Sequence, residues 1–150
     1  MSRRDIDDNR GPMLGALIRM AHAGMVEEYL RWLATTPYRD VQPSHAAVIQ
    51  PLWELPDGAR LTSLAKTARI TKQSMGALVD SLEQSGYIER IEDPDDRRAS
   101  RIRLTARGRR YARDVRAFAA ELENQLSERM GPRKVEQLRA ALKLLLASLN

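Results

Sequence analysis

The stretch LTSLAKTARITKQSMGALVDSLEQSGYIERIEDPDDRRASRIRL, residues 61–104, changes its periodicity once, and that change decides the fold. In its first part Leu64, Ala65 and Ala68 fall on one side of a short helix, with Thr62 as its cap. Only Arg69-Ile70-Thr71 separates it from a second helix, Lys72 to Ser85. There Met75, Leu78, Val79 and Leu82 stand at i, i+3, i+4 and i+7, and Gly86 ends the run. Two helices joined by so short a turn, the second polar on its outer side, form a helix-turn-helix. Beyond Gly86 the period drops to two. Residues 87–92 and 100–104 alternate apolar with charged side chains, and Asp93 to Ala99 between them is rich in turn formers and charge. A β-hairpin with a charged tip therefore follows the helix-turn-helix directly, with Arg97 and Arg98 on the tip. The pattern is that of a winged helix.

Helices flank this unit on both sides. Leu14, Leu17, Ile18, Ala21, Met25 and Tyr29 predict an amphipathic helix that breaks at Thr35-Thr36-Pro37. A second helix is expected after Pro43, with Ser44 as N-cap, running towards Leu55; Pro51 should kink or shorten it. After Thr105 a long helix runs to about Met130, and Gly131-Pro132 divides it from a last one. In that last helix Val135, Leu138, Leu142, Leu145 and Leu149 repeat at spacings of 3, 4, 3 and 4. Two heptads are too few for an independent coiled coil. The seam predicts that helices from the two ends of the chain pack together and across a two-fold axis, making a homodimer.

Composition narrows the class. The 150 residues are 43% hydrophobic, 30% charged and 5% aromatic, which suits one wet-surfaced helical domain better than a sandwich or barrel. There is no cysteine, so disulfides, thiolate-bound zinc, iron–sulfur clusters and thiol-based sensing are excluded. No apolar run is long enough to span a membrane. The first ten residues carry acids and no apolar core, so a secretory signal is not expected and the chain reads as cytoplasmic. The net charge is only +5, but its distribution is uneven. Residues 60–116 hold 14 basic and 8 acidic side chains, and the rest of the chain is slightly acidic. The excess positive charge thus falls on the part shaped to read DNA.

The physics of groove recognition then assigns roles. The N-terminal half of the second helix would enter the major groove, presenting Lys72, Gln73, Ser74 and Ala77. Gln73 can bond an adenine edge, Ser74 a base or phosphate, and Ala77 a thymine methyl. Arg97 and Arg98 are placed to reach an adjacent minor groove. Arg101 and Arg103 share the outer face of a strand and are expected to meet phosphates, as Arg90 could. Asp96 and its neighbours would repel DNA unless at least one pairs with an arginine and braces the wing. The outward Gly76 weakens its own helix by about 1 kcal/mol against alanine, which close approach to DNA or to a partner helix would explain.

The run Leu82 to Arg90, then Asp96-Arg97-Arg98, then Leu104-Thr105-Ala106-Arg107-Gly108 resembles the signature of the MarR (multiple antibiotic resistance regulator) family. The resemblance covers about residues 41–112 at motif level, and the flanking helices agree in layout. It implies one domain, a winged helix over about residues 41–112 with dimerisation helices at about 12–36 and 113–149. It also implies a transcriptional regulator, a repressor working as a homodimer on a pseudo-palindromic operator in double-stranded DNA. A small-molecule effector, often phenolic in this family, would bind between the dimer helices and the winged helix, where His22, Met25, Tyr29 and Trp53 are the residues to watch. Asp96 and Arg98 would be the wing acid and wing arginine. The chain departs from the family pattern at His45, where Gln is frequent, and at Pro51.

Enzymatic readings lack their parts. There is no glycine-rich phosphate loop, no nucleophile beside a base and no His-Glu-x-x-His, and His22 and His45 do not make a metal site. No cofactor is called for. Two other classes stay open at this level: a winged helix used as a protein adaptor, and an architectural DNA binder without a preferred site.

Overall fold

Thr35 and Thr36 close the first helix with their own hydroxyls. Thr35 Oγ1 donates to the Trp32 carbonyl at 2.7 Å and Thr36 Oγ1 to that of Leu33 at 2.9 Å, taking up acceptors that the helix end leaves open. These contacts come from a computed structural model that describes residues 12–149, the side chain of Arg97 excepted. The element order is α1 (Leu14–Ala34), a 3₁₀ turn (Pro43–His45), α2 (Ala46–Leu52), β1 (Ala59–Arg60), α3 (Leu61–Ala68), α4 (Lys72–Gln84), β2 (Ile88–Asp93), β3 (Asp96–Leu104), α5 (Ala106–Met130) and α6 (Pro132–Ser148). The chain divides into two compact units, one up to Ala47 and one from Val48 onward.

In the first unit, α1 buries only Leu33 along its length, while Leu14, Leu17, Ile18, Met20, Met25 and Leu30 are exposed. Tyr38 and Val41 are buried beyond its end, and the Trp32 ring stands 6.0 Å from that of Tyr29 and 6.5 Å from that of Tyr38. Ser44 does not cap the next helix as expected. It lies inside the 3₁₀ turn, and the buried His45 does the capping: its Nδ1 accepts the Gln42 N–H at 3.1 Å. Burial pushes the His45 imidazole below its ordinary pKa, against the opposing pull of Asp40. Pro51 shortens α2, which stops at Leu52. A proline has no N–H to continue the ladder.

The second unit is the winged helix. The sheet is antiparallel in the order β1-β3-β2, so the expected hairpin gains a third strand of two residues, Ala59 and Arg60, paired with Ile102 and Arg101. In the hairpin Ile88 faces Leu104, Glu89 faces Arg103 and Ile91 faces Arg101. Met75, Val79 and Leu82 of α4, Leu64 of α3, Tyr87, Ile88 and Ile102 are all fully or almost fully buried and make the core. The Tyr87 and Tyr111 rings meet edge to face at 5.6 Å, an arrangement the ring quadrupoles favour.

The junction of wing and long helix is tight. Gly86, at φ +75°, closes α4, with its own N–H on Glu83 and the Tyr87 N–H on Leu82, both at 2.9 Å. Thr105 caps α5 by accepting the Gly108 N–H at 3.1 Å, and its hydroxyl donates to Gly86 O at 2.6 Å. A Cβ at Gly108 would lie 2.0 Å from the Tyr87 carbonyl oxygen, so only glycine fits there. Arg107 stacks 4.3 Å over the Tyr87 ring and donates to Ser85 O at 2.7 Å. After Gly131, α6 doubles back on α5, with Arg139 Nη2 2.8 Å from Glu123 Oε2. None of its residues is buried, and Leu138, Leu142, Leu144, Leu146 and Leu149 are exposed. Among the described residues no helix is long and apolar enough to cross a membrane.

Candidate nucleic-acid interface

The N-terminal end of α4 is built by Thr71. Its Oγ1 accepts the Ser74 N–H at 3.0 Å, which starts the helix and leaves Lys72, Gln73, Ser74 and Ala77 exposed. Met75, Val79 and Leu82 take the opposite face into the core, so the helical period alone settles which side chains are free to meet a groove. The Ser74 hydroxyl is not free, since it lies 2.9 Å from Thr71 Oγ1. Apart from its chain neighbours and its own helix backbone, Gly76 has no atom of the described residues within 4 Å of where a Cβ would stand, so packing does not require glycine there.

The wing differs from its sequence picture in two ways. Its tip is tighter. The turn is Pro94-Asp95, and Arg97 and Arg98 already belong to β3. Two aspartates draw it in: Asp93 Oδ1 accepts the Asp95 N–H at 2.9 Å, and Asp96 Oδ1 accepts the Arg98 N–H at 3.0 Å. The second difference is the bracing acid. Asp96 serves the turn, whereas the buried Asp93 holds the guanidinium groups. Its Oδ2 lies 2.6 Å from Arg60 Nε and 3.3 Å from Arg101 Nε. The Arg60 hydrogen bond, followed by that from the Asp95 backbone, keeps the Asp93 carboxyl far below the usual carboxylate range despite its burial.

The arginines expected to face phosphates are largely occupied by acids. Arg101 also bonds Asp95 Oδ2 at 2.9 Å, so the expectation that it is outward and available gives way to a bracing position. Arg103 meets Glu89 Oε1 at 2.6 Å across the strands. Arg90 ties β2 to α4, with Nη2 2.6 Å from Asp80 Oδ1 and Nη1 on Glu83. Arg98 is exposed and has no acidic partner among the described residues, and the side chain of Arg97 lies outside them. The sequence reading missed Asp93 and Arg60. Their meeting depends on β1, which at two residues leaves no periodic signal.

The residues expected to hold an effector fall in both units. His22 and Met25 are exposed on α1, and Tyr29 is half-buried there. Trp53, in the second unit, lines an open cleft of about 260 Å³ with Leu104, Arg109, Ala112, Arg113 and Arg116. Arg116 lies 5.4 Å from the Trp53 ring centroid, and the buried indole Nε1 has no hydrogen-bond partner among the described residues. Among the described residues no cluster of His, Asp and Glu could hold a metal ion.

Residues 42–100, from the 3₁₀ turn before α2 to the middle of β3, match the MarR family model. This segment is similar to the MarR family. The HTH-type transcriptional regulator BilQ of Clostridioides difficile (strain CD3) is 26% identical over 78 residues, which are 52% of this chain and 53% of that protein. The chain thus spans about half the length of the curated relative it matches. Solved structures extend the likeness in fold to the flanking helices. The S. aureus MepR–DNA complex superposes with a TM-score of 0.76 at 24% identity, covering 91% of this chain and 98% of MepR. Streptococcus pneumoniae FabT in complex with DNA gives 0.79 at 19% identity, covering 90% and 94%. The transcriptional regulator BldR from Sulfolobus solfataricus gives 0.71 at 24%, covering 90% and 93%. At such identities the likeness speaks for the fold, with its winged helix and flanking helices.

Proposed function

We propose that this chain is a sequence-specific, double-stranded-DNA-binding transcription regulator of the MarR type, acting as a homodimeric repressor in the cytoplasm. The observation that carries this is the capped, exposed N-terminal face of α4, with Lys72, Gln73, Ser74 and Ala77 beside a braced wing bearing Arg97 and Arg98. Such a face suits the major groove, and the wing an adjacent minor groove. Both named DNA complexes, of MepR and FabT, share this fold. The dimer rests on α1 and α6, whose leucines and methionines are exposed on the single chain in numbers that call for a cover. On this reading the winged helix of about residues 41–112 is carried by dimerisation helices at about 12–36 and 113–149, and half-sites lie about 10 base pairs apart. The arginine-lined cleft at Trp53 is the place for a small phenolic or otherwise anionic effector, with His22, Met25 and Tyr29 as further candidates.

The test is selection of bound fragments from a random duplex pool, with the affinity of the winner followed against salt. An enriched inverted repeat held ~10³-fold above random DNA supports the proposal. Binding without enrichment replaces it with an architectural role, and no binding of the effector-free dimer replaces it with the adaptor reading.

A further inference from the structure

Two helices of the winged helix end in the same hydrogen-bond pattern on different residues. At the end of α4 the left-handed position belongs to Gly86, with Tyr87 N bonded to Leu82 O and Gly86 N to Glu83 O. At the end of α3 it belongs to Arg69, at φ 55° and ψ 39°, with Ile70 N bonded to Ala65 O at 3.1 Å and Arg69 N to Lys66 O at 3.2 Å. Arg69 is the single non-glycine residue with positive φ among the described ones. A Cβ is disfavoured there, and glycine is the residue that fits this motif without strain. The arginine therefore brings something that the turn itself does not need.

Its surroundings show what. Lys66, Arg69 and Lys72 are spaced three apart across the turn between α3 and α4, and all are exposed. None has an acidic partner among the described residues, in contrast to Arg60, Arg90, Arg101 and Arg103. No Asp or Glu occurs between Asp57 and Asp80, so nothing along this stretch neutralises them. Lys72 begins the helix whose first turn faces outward, which places the row at the edge of the reading face.

We infer that Lys66, Arg69 and Lys72 form the main phosphate-gripping row of this protein, with Arg69 seated in the left-handed position so that its guanidinium flanks the reading helix. The inference rests on the DNA-binding proposal and deepens it. It moves the sequence-independent part of binding from the wing strands to the turn. A side-chain cation that neutralises a phosphate releases a condensed counterion into bulk solvent, so each such contact steepens the slope of log affinity against log salt by about 0.9.

The experiment is a salt series of binding to the pool-selected duplex and to a random-sequence 30-base-pair duplex, for the parent full-length chain and three variants. Asn and Gly both tolerate the left-handed backbone, so Arg69→Asn and Arg69→Gly remove the charge while keeping or raising the thermal midpoint. Both should weaken binding to the two duplexes alike, roughly three- to tenfold, and lower the salt slope by about one. Arg69→Lys should keep the parental slope. If R69N and R69G bind with unchanged slope while the parent binds the selected duplex specifically, the row is not the grip and the DNA reading stands. If R69K loses as much as R69N, charge is not what Arg69 supplies, and the inference is again overturned. If the parent binds neither duplex, the DNA reading falls and this inference with it.

Discussion

The wing side carries twice as many basic residues as the helix-turn-helix turn, six arginines against Lys66, Arg69 and Lys72, yet the two regions use them differently. On the wing side Arg60, Arg90, Arg101 and Arg103 are each held by an acid, and the buried Asp93 serves two of them. Around the turn, Lys66, Arg69 and Lys72 have no such partners among the described residues. A hairpin projecting from a small domain has little core of its own, so charge pairing gives it a fixed shape. The turn lies between two helices already anchored by Leu64, Met75 and Val79, and its cations are free to act on something else. Counting arginines therefore says little about where a charged ligand is gripped. The acids beside them decide.

The largest test of this contrast is Asp93→Asn. It removes the charge that holds Arg60 and Arg101 and should lower the thermal midpoint more than any other wing substitution, while loosening operator binding. Because the folded carboxyl titrates below its unfolded value, its contribution is complete above the unfolded pKa of about 3.9 and fades as pH falls below that towards the folded value. Urea midpoints of parent and D93N should accordingly differ at neutral pH and converge in acid. A constant difference down to pH 2 would remove the ion pair from the explanation.

Gln73→Ala comes next. It should erase roughly 1–3 kcal/mol of discrimination between the selected duplex and a base-substituted one while sparing random DNA. Equal losses on both would make Gln73 a general contact. Arg98→Ala, which strips an unpaired wing cation, should weaken operator binding about tenfold in the same titrations, in line with one or two lost charge contacts. Arg103→Ala should move the affinity much less, because Glu89 already occupies that guanidinium. Thr71→Ala removes the α4 cap and should cost about 1 kcal/mol in chemical denaturation. The smallest effect is Glu89→Gln: an exposed pair contributes only ~0.2–1 kcal/mol, so releasing Arg103 should tighten DNA binding about twofold at low salt and not at high salt. Weaker binding by E89Q would mean that Glu89 orients Arg103 towards DNA and does not compete for it.

Much of this architecture is readable from periodicity. The change from helical spacing to alternation at Gly86 marks the boundary of α4 and the wing, and Gly131-Pro132 marks that of α5 and α6, each where the structure has it. What escaped are features set by partners distant in sequence. β1 is two residues long and exists because β3 lies alongside, 43 positions away at the Ala59–Ile102 pair. Asp93 is one acid among four in the run from Glu92 to Asp96, excepting Pro94, and nothing local distinguishes the one that becomes buried. The tight tip depends on aspartate side chains bonding the backbone, which turned an expected seven-residue loop into a two-residue turn. Arg69 gave no turn signal because arginine is not a residue associated with positive φ. The exposed face of α4 was legible residue by residue because a helix orients its side chains locally; the pairing of the wing arginines was not, because it needs the register of the sheet.

The contact at Gly108 has a mechanical consequence. With the first turn of α5 seated directly on the Tyr87 carbonyl, capped by Thr105 and tied back to Ser85 by Arg107, there is no compliant layer between the long helix and the base of the wing. At about 1.5 Å of rise per residue α5 is a rod about 37 Å long, so a ~3 Å sideways displacement of its far end is a ~5° tilt at its root. The contacts at that root meet the end of α4 and the start of β2 directly, at Ser85 and Tyr87. The root of α5 is thus a stiff joint, and a tilt of α5 bears directly on the end of α4.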